Sequence, residues 1–225
     1  MSTILAIDTA SAEIALALAV DGEIVSSTVL AGGHDHSRLL LPAIDALLDG
    51  RRGVLSGIAV VRGPGNYAGL RVGIATAKGL ALALGIPVRG LSTMEAVARA
   101  VDRPAVTVIH PAGRNEFAVQ EFSGGLASGP LHALPAADLQ GPSLAGQGAS
   151  AFGGTDVDPE QRVRAALVAL IPRFADQSGS APVDALYLRE PNITVPRRPL
   201  SARSGEPTQQ PSTGGTPPWN ERSSS

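Results

Sequence analysis

Ile4-Leu5-Ala6-Ile7 is a continuous apolar run of the length of a short buried strand. Ile14 to Val20 alternates larger aliphatic residues with alanine and runs into Asp21-Gly22, a dipeptide that favours a tight hairpin turn, so Glu23 to Leu30 is expected to return as a third strand. Leu40, Ile44, Leu47 and Leu48 then recur at i, i+4, i+7 and i+8. That is the stripe of an amphipathic helix, ended by Gly50 and Gly53, with Pro42 expected in its early turns. Ile58 to Val61 reads as a fourth strand, and Leu70 to Leu84 as a second helix stopped by Gly85-Ile86-Pro87. Val88 closes a short fifth strand, and Ser92-x-x-Glu95 is a capping box that opens a third helix through Ala100.

The second half begins as the first does. AIDTASAEIALALAVDG and VIHPAGRNEFAVQEFSGG can be laid together as strand, polar turn, strand and glycine turn, which sets Asp8 opposite His110. Beyond that, Leu144 to Gly148 carries a strand end and Arg162 to Phe174 a helical pattern, so the second copy is a shortened one. The expected organisation is an N-terminal lobe over residues 1–100 and a smaller lobe over 101–200. Residues 201–225, rich in Ser, Pro, Thr, Gly and Gln, are expected to form a disordered tail.

Composition narrows the chemistry. The 225 residues are 44% hydrophobic and 17% charged, as in a globular protein, but only 3% aromatic, so the core has to be built from Ala, Val, Leu and Ile. Cysteine is absent, which removes disulfides, thiolate nucleophiles and Cys-ligated zinc and fits a cytoplasmic protein. The net charge of −2, the lack of a signal-peptide pattern and the lack of a membrane-length apolar stretch point neither to an autonomous nucleic-acid binder nor to a membrane protein.

Two places offer chemistry. Asp8 lies where the first strand meets the Thr9-Ala10-Ser11 turn, and Gly63-Pro64-Gly65-Asn66 lies between a strand and a helix. A carboxylate beside hydroxyls and free N–H groups, facing a glycine loop at a helix start, can hold a nucleotide phosphate and, through water, a magnesium ion. Asp8, Thr9, Gly63, Gly65 and Asn66 are therefore the candidate nucleotide site, with a turn-capping Asp8 as the plainer alternative. The loop lacks both the Lys-Ser/Thr of a Walker loop and the third glycine of a dinucleotide fingerprint. His34 and His36 do not have the spacing of a helical zinc pair, so no metal site is expected there.

The second helix is unusual in a different way. Gly69, Gly73, Ala77 and Ala81 recur every four residues, while Ala75, Gly79 and Ala83 lie on the other side of the cylinder. Each interior glycine costs roughly 1 kcal/mol relative to alanine, which asks for close approach by another element. One face is expected to pack internally and another to receive a partner helix. The first is assigned to the partner, with Leu40, Ile44, Leu47 and Leu48 supplying apolar surface beside it.

Taken as one series, ILAIDTA, HSRLLLPAIDALL, VRGPGNYAGLRVGIATAKGLALALGIPV, LSTMEAV and the later Ala185-Leu-Tyr-Leu-Arg-Glu-Pro closely resemble the TsaB family, also called YeaZ. The match is dense over residues 3–97 and loose over 104–180. The resemblance implies an actin-like and Hsp70-type (ASKHA) α/β fold of two lobes. It also implies a non-catalytic accessory subunit in the formation of N6-threonylcarbamoyladenosine beside the anticodon of tRNA. In that picture a TsaD-like subunit carries the chemistry and a TsaE-like ATPase cooperates, tRNA is met only within the complex, and the isolated chain forms homodimers. Association is implied through the helices over residues 37–49 and 69–84, no cofactor is obligatory, and ATP or ADP with magnesium is the group the fold accommodates. Where the family often has Asp-Ala-Arg this chain has His110-Pro111-Ala112, which argues against independent phosphoryl chemistry. The rival reading is an independent enzyme on the same fold, a phosphotransferase or a glycoprotease-type peptidase.

Overall fold

The computed structural model describes residues 2–50, 54–113, 115–175 and 183–188. The tail expected over 201–225 lies outside them.

The first half contains β1 (Thr3–Asp8), β2 (Glu13–Val20), β3 (Glu23–Ala31), α1 (His36–Leu48), β4 (Leu55–Val61), α2 (Tyr67–Leu84), β5 (Val88–Leu91) and α3 (Thr93–Val101). Asp21 and Gly22 both take positive φ, 49° and 90°, the requirement of the tight turn that matches strand twist. Pro42 falls in the second turn of α1, where its side chain is exposed and the carbonyl left without an N–H partner can turn to water. Ser92 caps α3 by accepting a 3.0 Å bond from the amide of Glu95.

The strands form a five-stranded sheet in the order β3-β2-β1-β4-β5. β1 pairs antiparallel with β2 and parallel with β4. The second half repeats this pattern with β6 (Ala105–Gly113), β7 (Glu116–Ser123), β8 (Leu126–Ala127), β9 (His132–Pro135), β10 (Leu144–Gly146), β11 (Thr155–Asp156) and α4 (Pro159–Ala175). β6 pairs antiparallel with β7 and parallel with β10, and β11 extends the sheet beyond β10. The internal duplication read from the sequence is thus present in the pairing. This is the ASKHA architecture of two related mixed sheets.

The alternation of large and small residues along β2 has a specific cause. Ile14, Leu16 and Leu18 face α1 and α2 on one side of the sheet, together with Leu5, Ile7, Ile58 and Val60. Ala15, Ala17 and Ala19 face the other side, where Val163, Ala166, Leu167 and Leu170 of α4 cover them. Both faces are buried, and alanine on one of them lets α4 approach closely. α4 follows the second sheet in the chain but packs on β1, β2 and β4 of the first. Its fully buried Leu167 and Leu170 each contribute about 2 kcal/mol of burial, enough to anchor the helix there. Among the described residues no helix is long and apolar enough to cross a membrane.

Candidate functional site

The turn between β1 and β2 is where the candidate residues converge. Asp8 ends β1 and is 1% exposed. Its Oδ1 accepts the amide of Ala10 at 2.9 Å, closing the turn on itself, and its Oδ2 accepts Nε of Arg162 at 2.6 Å. The same guanidinium donates from Nη2 to Ser11 Oγ at 2.6 Å. Arg162 is fully buried and comes from the first turn of α4, one residue before the apolar stripe that docks the helix. An ion pair at this depth is held by geometry, because the lost hydration of each charge is offset by the other charge and by the bonds to Ala10 N and Ser11 Oγ.

The sequence reading missed Arg162, although the signal was present. Arg162 stands four residues before Ala166 on the inward stripe of a helix, and a buried arginine there demands a carboxylate.

Thr9, Gly63, Gly65 and Asn66 are brought to the same place, and each is already engaged by the chain. Thr9 donates its hydroxyl to the carbonyl of Gly69 at 2.8 Å. Asn66 gives its amide to Ala10 O at 2.7 Å and caps α2 by accepting from Gly69 N at 3.1 Å. Gly65 lies directly against Ala10 O, and Gly63 against the carbonyl of Leu186. The glycines are needed for close packing of loop on turn. His36 also belongs to this cluster, buried at the start of α1 with Nε2 3.2 Å from Ser11 O.

From the second sheet, His110 on β6 reaches across to the same turn, with Nε2 3.3 Å from Ala10 O. Burial, reinforced by the Arg162 charge, lowers its pKa from 6.5 to about 3 against the opposing pull of the Ala10 carbonyl and Asp8. The ring is therefore neutral at neutral pH and donates from Nε2 to the carbonyl. The unfolded chain binds the proton first on acidification. The stabilising contribution is complete above pH 6.5 and is lost progressively as pH falls from 6.5 towards 3, at about 1.4 kcal/mol per pH unit. The stability of the wild type is expected to fall more steeply over this window than that of His110→Gln. Equal slopes in urea unfolding at stepped pH would contradict the assignment.

The second half has a matching glycine loop at Gly146-Gln147-Gly148, between β10 and a short 3-10 turn over Ala149–Phe152. Its amides face the Asp156 carboxylate, which takes Ser150 N at 2.9 Å and the Ser150 hydroxyl at 2.5 Å. Those two bonds, with the amides of Ala149 and Gly148, hold the Asp156 pKa below its ordinary value.

A nucleotide with magnesium is the group this fold implies. Both oxygens of Asp8 are committed, the glycine loop is packed on the turn, and among the described residues no cluster of three acidic, His or Cys side chains is placed to hold a metal. The residues present do not fit the group.

The partner surface requires a correction. Gly69, Gly73, Ala77 and Ala81, assigned to a partner helix, are buried within the chain, as are Leu40, Ile44 and Leu48, while Leu47 is half-buried. Gly73 rests on the Thr9 hydroxyl and Gly69 on the Thr9 carbonyl, so this small face exists to seat α2 on the β1–β2 turn. The opposite face is the exposed one, with Ala68, Ala75, Gly79, Leu82 at 86% and Ala83 along α2 and Leu41 at 52% on α1. Alongside α2, between Tyr67 and Lys78, runs the segment Val183 to Leu188. Leu186 N donates to Arg62 O at 2.7 Å, the Tyr187 ring lies 5.0 Å from that of Tyr67, and Asp184 pairs with Lys78 at 3.0 Å.

Residues 26–127 match the family TsaD: tRNA N6-adenosine threonylcarbamoyltransferase. An uncharacterized protein of Mycobacterium leprae is 33% identical over 215 residues, which cover 89% of this chain and 59% of that protein. The tRNA threonylcarbamoyladenosine biosynthesis protein TsaB of Bacillus subtilis is 37% identical over 99 residues, 43% of each chain. The chain thus spans less than two thirds of the length of these two relatives. An uncharacterized protein of Mycobacterium tuberculosis is 32% identical over 85% of this chain and 94% of its own length. Among solved structures, YeaZ from Pseudomonas aeruginosa superposes with a TM-score of 0.64 at 25% identity, covering 77% of this chain and 93% of YeaZ. With its dense N-terminal match, its duplicated sheets and these relatives, the chain belongs to the TsaB (YeaZ) family.

Proposed function

We propose that this chain is the accessory subunit of a cytoplasmic complex that forms N6-threonylcarbamoyladenosine in tRNA. It acts by binding and activating a TsaD-like catalytic subunit, with a TsaE-like ATPase and tRNA engaged only in the assembly. The observation that carries the proposal is the outer face of α2. Among the described residues no atom outside the helix's own backbone lies within 4 Å of where a Gly79 side chain would begin, so none of them requires a glycine there. It gives up roughly 1 kcal/mol relative to alanine in an exposed helix interior. Leu82 stands almost fully in water one helical turn further on. A small, apolar, uncovered helix face is suited to close approach by a partner helix, and in the isolated chain by a second copy of itself. The rival phosphotransferase would need a free carboxylate, and Asp8 is bonded to Arg162. The test is the modified nucleoside itself: tRNA from cells depleted of this protein should lose most of its N6-threonylcarbamoyladenosine, and an unchanged level rejects the proposal.

A further inference from the structure

We infer that Arg162 is the resident cation of the crevice, its guanidinium taking the place beside Asp8 that the sequence offers to a nucleotide's magnesium and phosphates, so that the chain closes without either. Nothing in this inference depends on the partner complex.

Three independent observations carry it. Each oxygen of the Asp8 carboxylate already has a donor from the chain, Ala10 N on one and the Arg162 guanidinium on the other. A divalent cation would have to displace a fully buried guanidinium that also holds Ser11. Secondly, the glycine loop that would cradle phosphate has no room in front of it, since Gly65 is in contact with the Ala10 carbonyl and the Asn66 amide is spent on the same oxygen. Thirdly, the corresponding glycine loop of the second half carries its own anion, the Asp156 carboxylate over the Ser150 amide and hydroxyl. One half supplies a cation to a carboxylate, and the other supplies a carboxylate to a set of amides.

The atoms left over agree with a closed, ligand-independent crevice. Among the described residues Arg162 Nη1 and His110 Nδ1 are buried without partners, one a donor and the other, in a ring that donates from Nε2, an acceptor. Both residues bond to the same β1–β2 turn. A lone acceptor at Nδ1 is no partner for a phosphate oxygen, which is itself an acceptor.

The test uses the full chain and thermal unfolding. Millimolar ATP or ADP with magnesium should leave the wild-type midpoint unchanged, because a ligand that binds only the folded state must raise it. Arg162→Ala strands a buried carboxylate and should lower the midpoint by about 10 °C or prevent folding. Ethylguanidinium, which restores the missing group, should recover the Arg162→Ala midpoint while magnesium does not. The double variant Asp8→Asn with Arg162→Met removes both charges and should fold with a midpoint well above that of Arg162→Ala alone. A wild-type midpoint that rises with magnesium ATP and loses that rise in Asp8→Asn would overturn the inference. So would an Arg162→Ala protein as stable as wild type, or a double variant no more stable than Arg162→Ala.

Discussion

Gly79→Arg should leave the chain folded and abolish its association with the catalytic partner, whereas Ala77→Arg, two residues earlier on the same helix, should unfold it. Ala77 is fully buried against the sheet among Leu5, Ile7, Ile58 and Val60. An arginine there both overpacks the core and places an unpaired charge in it, at a cost of at least about 4 kcal/mol. Gly79 faces open space, so arginine is accommodated and gains nearly 1 kcal/mol of helix propensity, which should hold or raise the unfolding midpoint. In the complex the same side chain would meet a partner helix at close range and lose its water. A penalty of about 3 kcal/mol corresponds to more than a hundredfold loss of affinity. Unfolding curves and co-purification with the partner on both variants decide the point. A folded Gly79→Arg protein that binds normally removes the outer face of α2 as the interface, and a stable Ala77→Arg protein would contradict the packing of α2.

Gly146→Ala is the second large effect. Gly146 pairs with Ile109 across β10 and β6, its φ is 142°, and a Cβ would fall on the backbone oxygen of Ile109. The clash is with the ladder itself, which cannot yield as a flexible side chain can, and a positive φ adds strain for any residue with a Cβ. A loss of about 4 kcal/mol, or roughly 10 °C, is expected. Gly148→Ala is the internal control. Gly148 also has positive φ, at 80°, but open space around it, so only about 1 kcal/mol should be lost. If chemical denaturation gives the two variants equal stability, the close pairing of β6 with β10 is wrong.

The strands and helices of the first half were legible because Asp21-Gly22, the Ser92 N-cap and the Gly85 C-cap act locally, and the structure uses each at its own position. The duplicated pairing was legible from the shared order of strand, turn and strand. Which small face of α2 turns inward was not. Periodicity gives the spacing of Gly69, Gly73, Ala77 and Ala81 and of Ala75, Gly79 and Ala83, but not the side on which the sheet lies. The deciding contact is tertiary, between Gly73 and the hydroxyl of Thr9, 64 residues earlier in the chain. Asp8 was read as a candidate ligand site with a turn-capping carboxylate as the plainer alternative, and the bond from Ala10 N is that cap. Its partner Arg162 lies 154 residues away on a helix that crosses back to the first sheet, and no local pattern joins the two. Cysteine-free composition and the spacing of His34 and His36 bear only on thiol and zinc chemistry, and they carried no information about Arg162.

The account stands most directly on the nucleoside content of tRNA in cells depleted of this protein and supplied with either the wild type or Gly79→Arg, both at equal abundance. The prediction is that N6-threonylcarbamoyladenosine disappears on depletion, returns with the wild type and stays low with Gly79→Arg. A level that is unchanged by depletion, or that Gly79→Arg restores in full, would contradict a role exercised through the outer face of α2.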